Sequence, residues 1–220
     1  MNEVLVSAQD VSRTYRVGGA DVVALAAASC EITAQARIAL VGPSGSGKST
    51  LLQILGGIDV PSAGTVRWPA LGGIATLRPK NVAFVFQNQS LLAPLSVIEN
   101  VELPLLLQGE PQDDARAAAA QVLELLDLAE LAEKLPEELS GGQAQRVAFA
   151  RALAAHPPLI LADEPTGQLD QLTADRLFDA VLPALAGFKT ALLIATHDPH
   201  VAARMAQQWK IEHGVLAVQP

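Results

Sequence analysis

Nine consecutive residues carry the most explicit chemistry in this chain: Gly42, Pro43, Ser44, Gly45, Ser46, Gly47, Lys48, Ser49 and Thr50. They fit the pattern G-x-x-x-x-G-K-[ST]. Glycines let such a loop turn its backbone N–H groups inward onto phosphate oxygens, at the positive end of a helix. Lys48 is placed to bridge the terminal phosphates, and the Ser49 hydroxyl to bind Mg²⁺. The flanks supply the context: residues 37–41 are a short apolar run that predicts a strand, and Leu51, Leu52 and Leu55 predict a helix after Lys48. Alone, the motif means a nucleoside triphosphate, because kinases, GTPases and ATPases all use it.

A second cluster narrows the choice. Leu139, Ser140, Gly141, Gly142 and Gln143, followed by the run from Ala144 to Leu153, closely resemble the signature of ATP-binding-cassette (ABC) proteins. Physically, Ser140 is a helix cap, and two glycines leave the helix N–H groups accessible as another anion site. It lies 98 positions after Gly42, and two such half-sites imply a symmetric dimer. The resemblance continues in order. The apolar run 159–162 ending in Asp163 and Glu164 looks like a Walker B strand, 21 residues beyond Gly142. That implies Asp163 as a Mg²⁺ ligand through water and Glu164 as the general base. Gln168, Leu169 and Asp170 resemble the D-loop, which implies that Asp170 meets the partner subunit's phosphate loop. Thr196 and His197 resemble the switch segment, with His197 on the γ-phosphate. Gln87 resembles the glutamine that reaches Mg²⁺ and the attacking water. Tyr15, 27 residues before Gly42, resembles the aromatic that stacks on adenine.

The elements that must position these groups read as alternating short strands and helices. Residues 37–41, 82–86, 159–162 and 191–195 predict buried strands of a mostly parallel sheet covered on both faces. Residues 4–6 with Ala8, and residues 31–33, predict edge strands of a small antiparallel sheet. From Asp113 to about Leu131 the apolar positions Val122, Leu125, Leu126 and Ala129 fall at helical spacing, with Asp113 or Asp114 as the cap. The helical stretch from about 91 to 155 interrupts the alternation. The expected fold is α/β: a P-loop NTPase (RecA-like) core with a small antiparallel β-subdomain and a helical subdomain inserted at about 90–155. The whole of 1–220 is expected to be one nucleotide-binding domain.

Composition agrees. Of 220 residues, 15 are basic and 23 acidic, for a net charge of −8, a poor balance for gripping nucleic-acid backbone. The single cysteine, Cys30, excludes an internal disulfide and a four-thiolate zinc site, and is expected to be a buried small hydrophobe. No apolar run approaches the roughly 18 residues of a membrane span, and the first residues lack the basic and apolar regions of a signal peptide. The expectation is a cytoplasmic protein, peripheral on the inner face of the cell membrane.

Within the family, residues 55–59, 99–105 and 162–167 are similar to a bacterial subgroup that serves lipoprotein release, macrolide-type efflux and cell-division complexes. Gln168 departs from it, since Asn is usual there, and residues 64–80 are shorter than usual without an Asp-Gly turn. The implied function is an ATPase that dimerises around two ATP–Mg²⁺ and drives transmembrane permease subunits. The alternative is a non-transport cassette that regulates a membrane partner of cell-wall or division complexes. A DNA-repair or chromosome ATPase is excluded, because 98 residues without sustained heptads cannot supply its coiled coils. A small-molecule kinase has no use for the signature. A degenerate subunit would not keep Lys48, Asp163, Glu164 and His197.

Overall fold

The computed structural model describes residues 3–88 and 90–218. In chain order the strands are β1 (Val4–Val17), β2 (Ala20–Thr33), β3 (Arg37–Val41), β4 (Ala63–Arg67), β5 (Val82–Val85), β6 (Leu159–Asp163), β7 (Ala191–Thr196), β8 (Gln207–Glu212) and β9 (Val215–Val218). The α-helices are α1 (Lys48–Leu55), α2 (Val97–Leu107), α3 (Gln112–Leu125), α4 (Gly141–Ala154), α5 (Gln171–Gly187) and α6 (Pro199–Ala203).

The strands form one curled sheet in the order β4-β1-β2-β9-β8-β3-β7-β6-β5. Strands β8, β3, β7, β6 and β5 are parallel neighbours. On the other side β4, β1 and β2 are antiparallel. Both faces of β3, β6 and β7 are buried, which is why these strands read as nearly unbroken apolar runs, whereas β8 alternates buried and exposed residues. Alternate residues divide between the faces. Ile160, Ala162, Leu192 and Ile194 pack under helices α2 to α6, with Phe149 and Phe178 in edge-to-face contact between α4 and α5. Leu159, Leu161, Leu193 and Ala195 pack with α1 and the β1–β2 hairpin on the other face. Cys30 belongs to that second face, where burial pushes its thiol up to about 12.

The expected central strands 37–41, 159–162 and 191–195 are present with ends shifted by one residue at most. The antiparallel strands are longer than expected: β1 and β2 each run 14 residues. Their outer halves, with Val17, Val22 and Val23 exposed, are held by cross-strand pairing and not by burial. No apolar alternation announces strands of that kind. Asp113 and Asp114 do not cap α3. Pro111 occupies the cap position and the two aspartates lie in the first turn, where they favour the helix through its dipole. That helix stops at Leu125, and Ala129–Leu131 forms a separate short turn after Asp127 at φ 57°.

Candidate nucleotide site

The sheet order places four carboxyl-terminal strand ends in a row, and the chemistry leaves from those ends. Residues 42–47 follow β3, His197 follows β7, Asp163 and Glu164 end β6, and Gln87 follows β5. In an open α/β sheet this edge is where ligands bind.

The loop after β3 wraps the start of α1. Gly47 has φ 104°, and a Cβ there would lie 2.3 Å from the carbonyl oxygen of Ala24 on β2, so only glycine fits. No side chain caps α1 and its first turn has no acid, leaving its positive end available to an anion. The Lys48 ammonium is buried; its Nζ donates to the carbonyls of Gly42 at 2.8 Å and Pro43 at 3.1 Å. It also lies 3.2 Å from Glu164 Oε1. Ser46 Oγ is buried with no hydrogen-bond partner among the described residues.

Across from the loop, Glu164 has φ 46°, a left-handed conformation uncommon for a long side chain. Its amide donates to the Ala195 carbonyl at 2.9 Å, so the strained residue is pinned between β6 and β7. Its second carboxylate oxygen, Oε2, lies 2.9 Å from His197 Nδ1. The result is a chain of contacts Lys48–Glu164–His197, buried at the lysine and 61 % exposed at the histidine. Asp163 is beside it, with Oδ1 buried and unpartnered among the described residues. Burial raises its pKa above the usual carboxylate range; the Ser49 hydroxyl, hydrogen-bonded to it, opposes the shift, Glu164 adds to it and Lys48 reduces it. An unpartnered carboxylate oxygen next to a hydroxyl is the hard-oxygen donor pair that Mg²⁺ takes alongside phosphates and water.

Gln87 sits two residues beyond β5, its amide against Gly167 so closely that a Cβ there would meet Nε2 at 2.9 Å. The loop it begins is held from α4 and from the segment before α5. Gln145 donates to the Phe86 carbonyl at 3.3 Å, Arg151 to the Ser90 carbonyl at 2.9 Å, and Gln168 to Asn88 Oδ1 at 3.2 Å.

Ser140 and Gln143 form a reciprocal cap on α4: the Gln143 amide donates to Ser140 Oγ at 3.3 Å, and the Ser140 amide to Gln143 Oε1 at 2.9 Å. Gly141 lies near Leu169, and Gly142 lies against Thr173 of α5. Asp170 caps α5 and accepts from the amide and hydroxyl of Thr173 at 2.9 and 2.7 Å; those bonds hold its carboxyl below the usual range. The fold therefore makes two groups: Lys48, Ser49, Asp163, Glu164, His197 and Gln87 at the strand ends, and residues 140–143 with Asp170 at the helix starts. Tyr15 is on β1, and its hydroxyl donates to Asp59 just beyond the far end of α1 from Lys48.

Two features escaped sequence reasoning. Ser96 and Glu99 form a capping box on α2, and the fully buried Asn100 fastens the loop before it. Its Nδ2 donates to the carbonyls of Leu92, Leu95 and Ser96 at 3.0–3.1 Å, and its Oδ1 accepts from the Leu92 amide. The spacing Ser-x-x-Glu was visible and signals the cap. The Asn100 network has no sequence signal.

The chain is similar to known proteins over nearly its whole length. The family model described as ABC transporter matches residues 25–167. The chain is similar to the lipoprotein-releasing system ATP-binding protein LolD of Paramagnetospirillum magneticum, 45 % identical over 223 residues, covering 98 % of this chain and 99 % of that protein. LolD of Bordetella pertussis is 44 % identical over 218 residues, covering 96 % and 94 %. Among solved structures, the dimeric bacterial ABC transporter cassette MJ0796 superposes with a TM-score of 0.86 at 34 % identity, covering 97 % of this chain and 98 % of that one. A dimeric post-hydrolysis state of the same cassette, bound to ADP and Pi, gives 0.85 at 34 % identity, with the same coverage. The family model and these relatives place this chain in the ABC transporter family, as an ATP-hydrolysing nucleotide-binding subunit.

Proposed function

We propose that two copies of this chain, each one nucleotide-binding domain with a helical subdomain at about 90–155, close around two ATP–Mg²⁺ and drive separate transmembrane subunits. Each site takes residues 42–50, Gln87, Asp163, Glu164 and His197 from one copy. The other copy supplies Ser140, Gly141, Gly142, Gln143 and the loop at Asp170. What carries this reading is the separation of two phosphate-type sites on one chain. Lys48 converges with Glu164 and His197, whereas residues 140–142 pack by Leu169 and Thr173. Each half is incomplete until a second copy faces it.

In the structure Lys48 is engaged by two loop carbonyls and by Glu164. The β- and γ-phosphates compete for that ammonium and for the N–H groups at the start of α1. Once Lys48 turns to phosphate, the Glu164 carboxylate is freed to accept a hydrogen bond and then a proton from the attacking water. His197, exposed and hydrogen-bonded through its ring and amide to Glu164, swings to the γ-phosphate. Ser49, Asp163 and Gln87 would hold Mg²⁺, which when bound would supply charge neutralisation on the phosphates.

The membrane partner is proposed to seat in an apolar groove of about 450 Å³ lined by Ile58, Phe84, Phe86, Leu92, Leu103 and Leu107. The groove runs beside the loop that begins at Gln87. No helix among the described residues is long and apolar enough to cross a membrane, so attachment at the inner face of the cell membrane would come through that partner. Of the three branches of the subgroup, lipoprotein release has the support of relatives 41–45 % identical over nearly the whole chain. Co-purification from detergent-solubilised membranes tests the assignment. A permease pair that releases lipoprotein from vesicles on ATP addition is expected, and recovery of only cell-wall or division proteins would replace transport with regulation.

A further inference from the structure

Tyr15 is not a free aromatic on a strand. Its hydroxyl donates to Asp59 Oδ2 at 2.7 Å, and the same carboxylate accepts from Arg13 Nε at 3.0 Å and Nη2 at 2.7 Å. The Arg13 guanidinium carbon lies 4.7 Å from the centre of the Tyr15 ring. Arg13 and Tyr15 are two residues apart on β1, hence on one face of the strand, and Asp59 reaches them from the segment after α1. The carboxylate is 17 % and the guanidinium 25 % exposed, and the pair is bidentate, the geometry in which a charge pair holds its partners in place. The three side chains form a closed ring of contacts across 46 residues of sequence.

We propose that Asp59 and Arg13 are positioning residues for the adenine base: they lock the Tyr15 ring in one orientation and cover one of its faces, so the base stacks on the other. This rests on the reading of Tyr15 as the adenine platform. An untethered phenol must be ordered when the base arrives, at an entropic cost that the tether has already met. A cation over one face also draws electron density from the ring and favours stacking of a π-rich base opposite it.

Calorimetric titration of the full chain with MgATP, and separately with Mg²⁺–tripolyphosphate, tests this. Tripolyphosphate engages the residue 42–50 loop but has no base. Tyr15→Ala is expected to weaken MgATP by about tenfold or more, and Asp59→Ala by roughly three- to tenfold. Neither should change tripolyphosphate binding, and both should raise KM with kcat within about twofold of wild type. The double variant should be no weaker than Tyr15→Ala, because Asp59 acts only through that ring. Tyr15→Phe, which keeps the ring and loses the tether, should match Asp59→Ala and stands in for it if that variant does not fold. If Tyr15→Ala weakens MgATP while Asp59→Ala and Tyr15→Phe do not, the positioning role is wrong and the platform stands. If Tyr15→Ala leaves MgATP binding unchanged, the platform itself is wrong. Equal loss of MgATP and tripolyphosphate in Asp59→Ala would reduce the ring of contacts to a structural brace.

Discussion

Lys48 Nζ lies 3.2 Å from Glu164 Oε1, and the two side chains are 6 % and 15 % exposed. The cation proposed to meet phosphate is thus paired with the carboxylate proposed to accept a proton from water. Glu164→Gln should abolish turnover, a loss of about two to four orders of magnitude in kcat. It should also let ATP-bound dimers accumulate, since hydrolysis normally reopens them. Size-exclusion chromatography with ATP should show twice the monomer mass. Lys48→Ala should instead lose nucleotide and stay monomeric. A Glu164→Gln protein turning over at the wild-type rate would remove Glu164 as the base.

Ser140 is predicted to serve the opposite copy's nucleotide. Ser140→Arg adds charge and bulk at the start of α4 while leaving residues 42–50 of its own chain untouched. Specific ATPase activity of the wild type should rise with protein concentration in the dilute range. Mixing equal amounts of the Ser140→Arg and Lys48→Ala proteins should restore roughly a quarter of the activity, since about half of the dimers are mixed and each mixed dimer keeps one of its two sites intact. Activity strictly proportional to protein, from a demonstrable monomer, would rule out the shared site.

Leu92 is 46 % and Leu107 67 % exposed at the rim of the apolar groove, whereas Leu95 is half-buried. Leu92→Glu and Leu107→Glu should therefore spare the basal ATPase of the isolated subunit to within about twofold while reducing transport and partner binding at least tenfold. Leu95→Glu should also cost stability. If transport and co-purification survive both rim substitutions, the partner docks elsewhere.

Asp163 stores a cost, because Oδ1 is buried without a partner among the described residues. Asp163→Asn should raise the thermal midpoint of the nucleotide-free chain by about 2–6 °C at neutral pH, from about 1–2 kcal/mol of relieved burial, while abolishing Mg²⁺-dependent hydrolysis. The pH sign follows from the raised pKa, caused first by burial. The folded chain holds the Asp163 proton more tightly than the unfolded chain, so its contribution is fullest below the ordinary carboxylate pKa near 4. It is lost as pH rises through the folded value. The stability gain of Asp163→Asn should therefore shrink on acidification in a pH series of melting curves. A gain independent of pH would mean that burial of the Asp163 charge is not the cause.

Residue identity and order alone marked the groups proposed to do the chemistry. Each motif is local: a phosphate loop needs its glycines, lysine and hydroxyl within nine positions, and a helix cap needs its serine and glutamine three apart. The central strands were legible because both faces of a parallel sheet are buried and no polar alternation breaks the runs. Other features were settled only when the chain folded. Strands β1 and β2 owe their length to pairing with each other, which leaves little trace in hydrophobicity. The tertiary structure decided that Lys48 faces Glu164 116 positions away, that Asp163 keeps an orphaned oxygen, and that Asp59 clamps Arg13 and Tyr15. Those contacts join residues from different elements, and their distances depend on the sheet order β3-β7-β6-β5 and on the close approach of α1 to β1. Spacing along one chain carries no information about which strand lies beside which, because that choice is made by long-range packing.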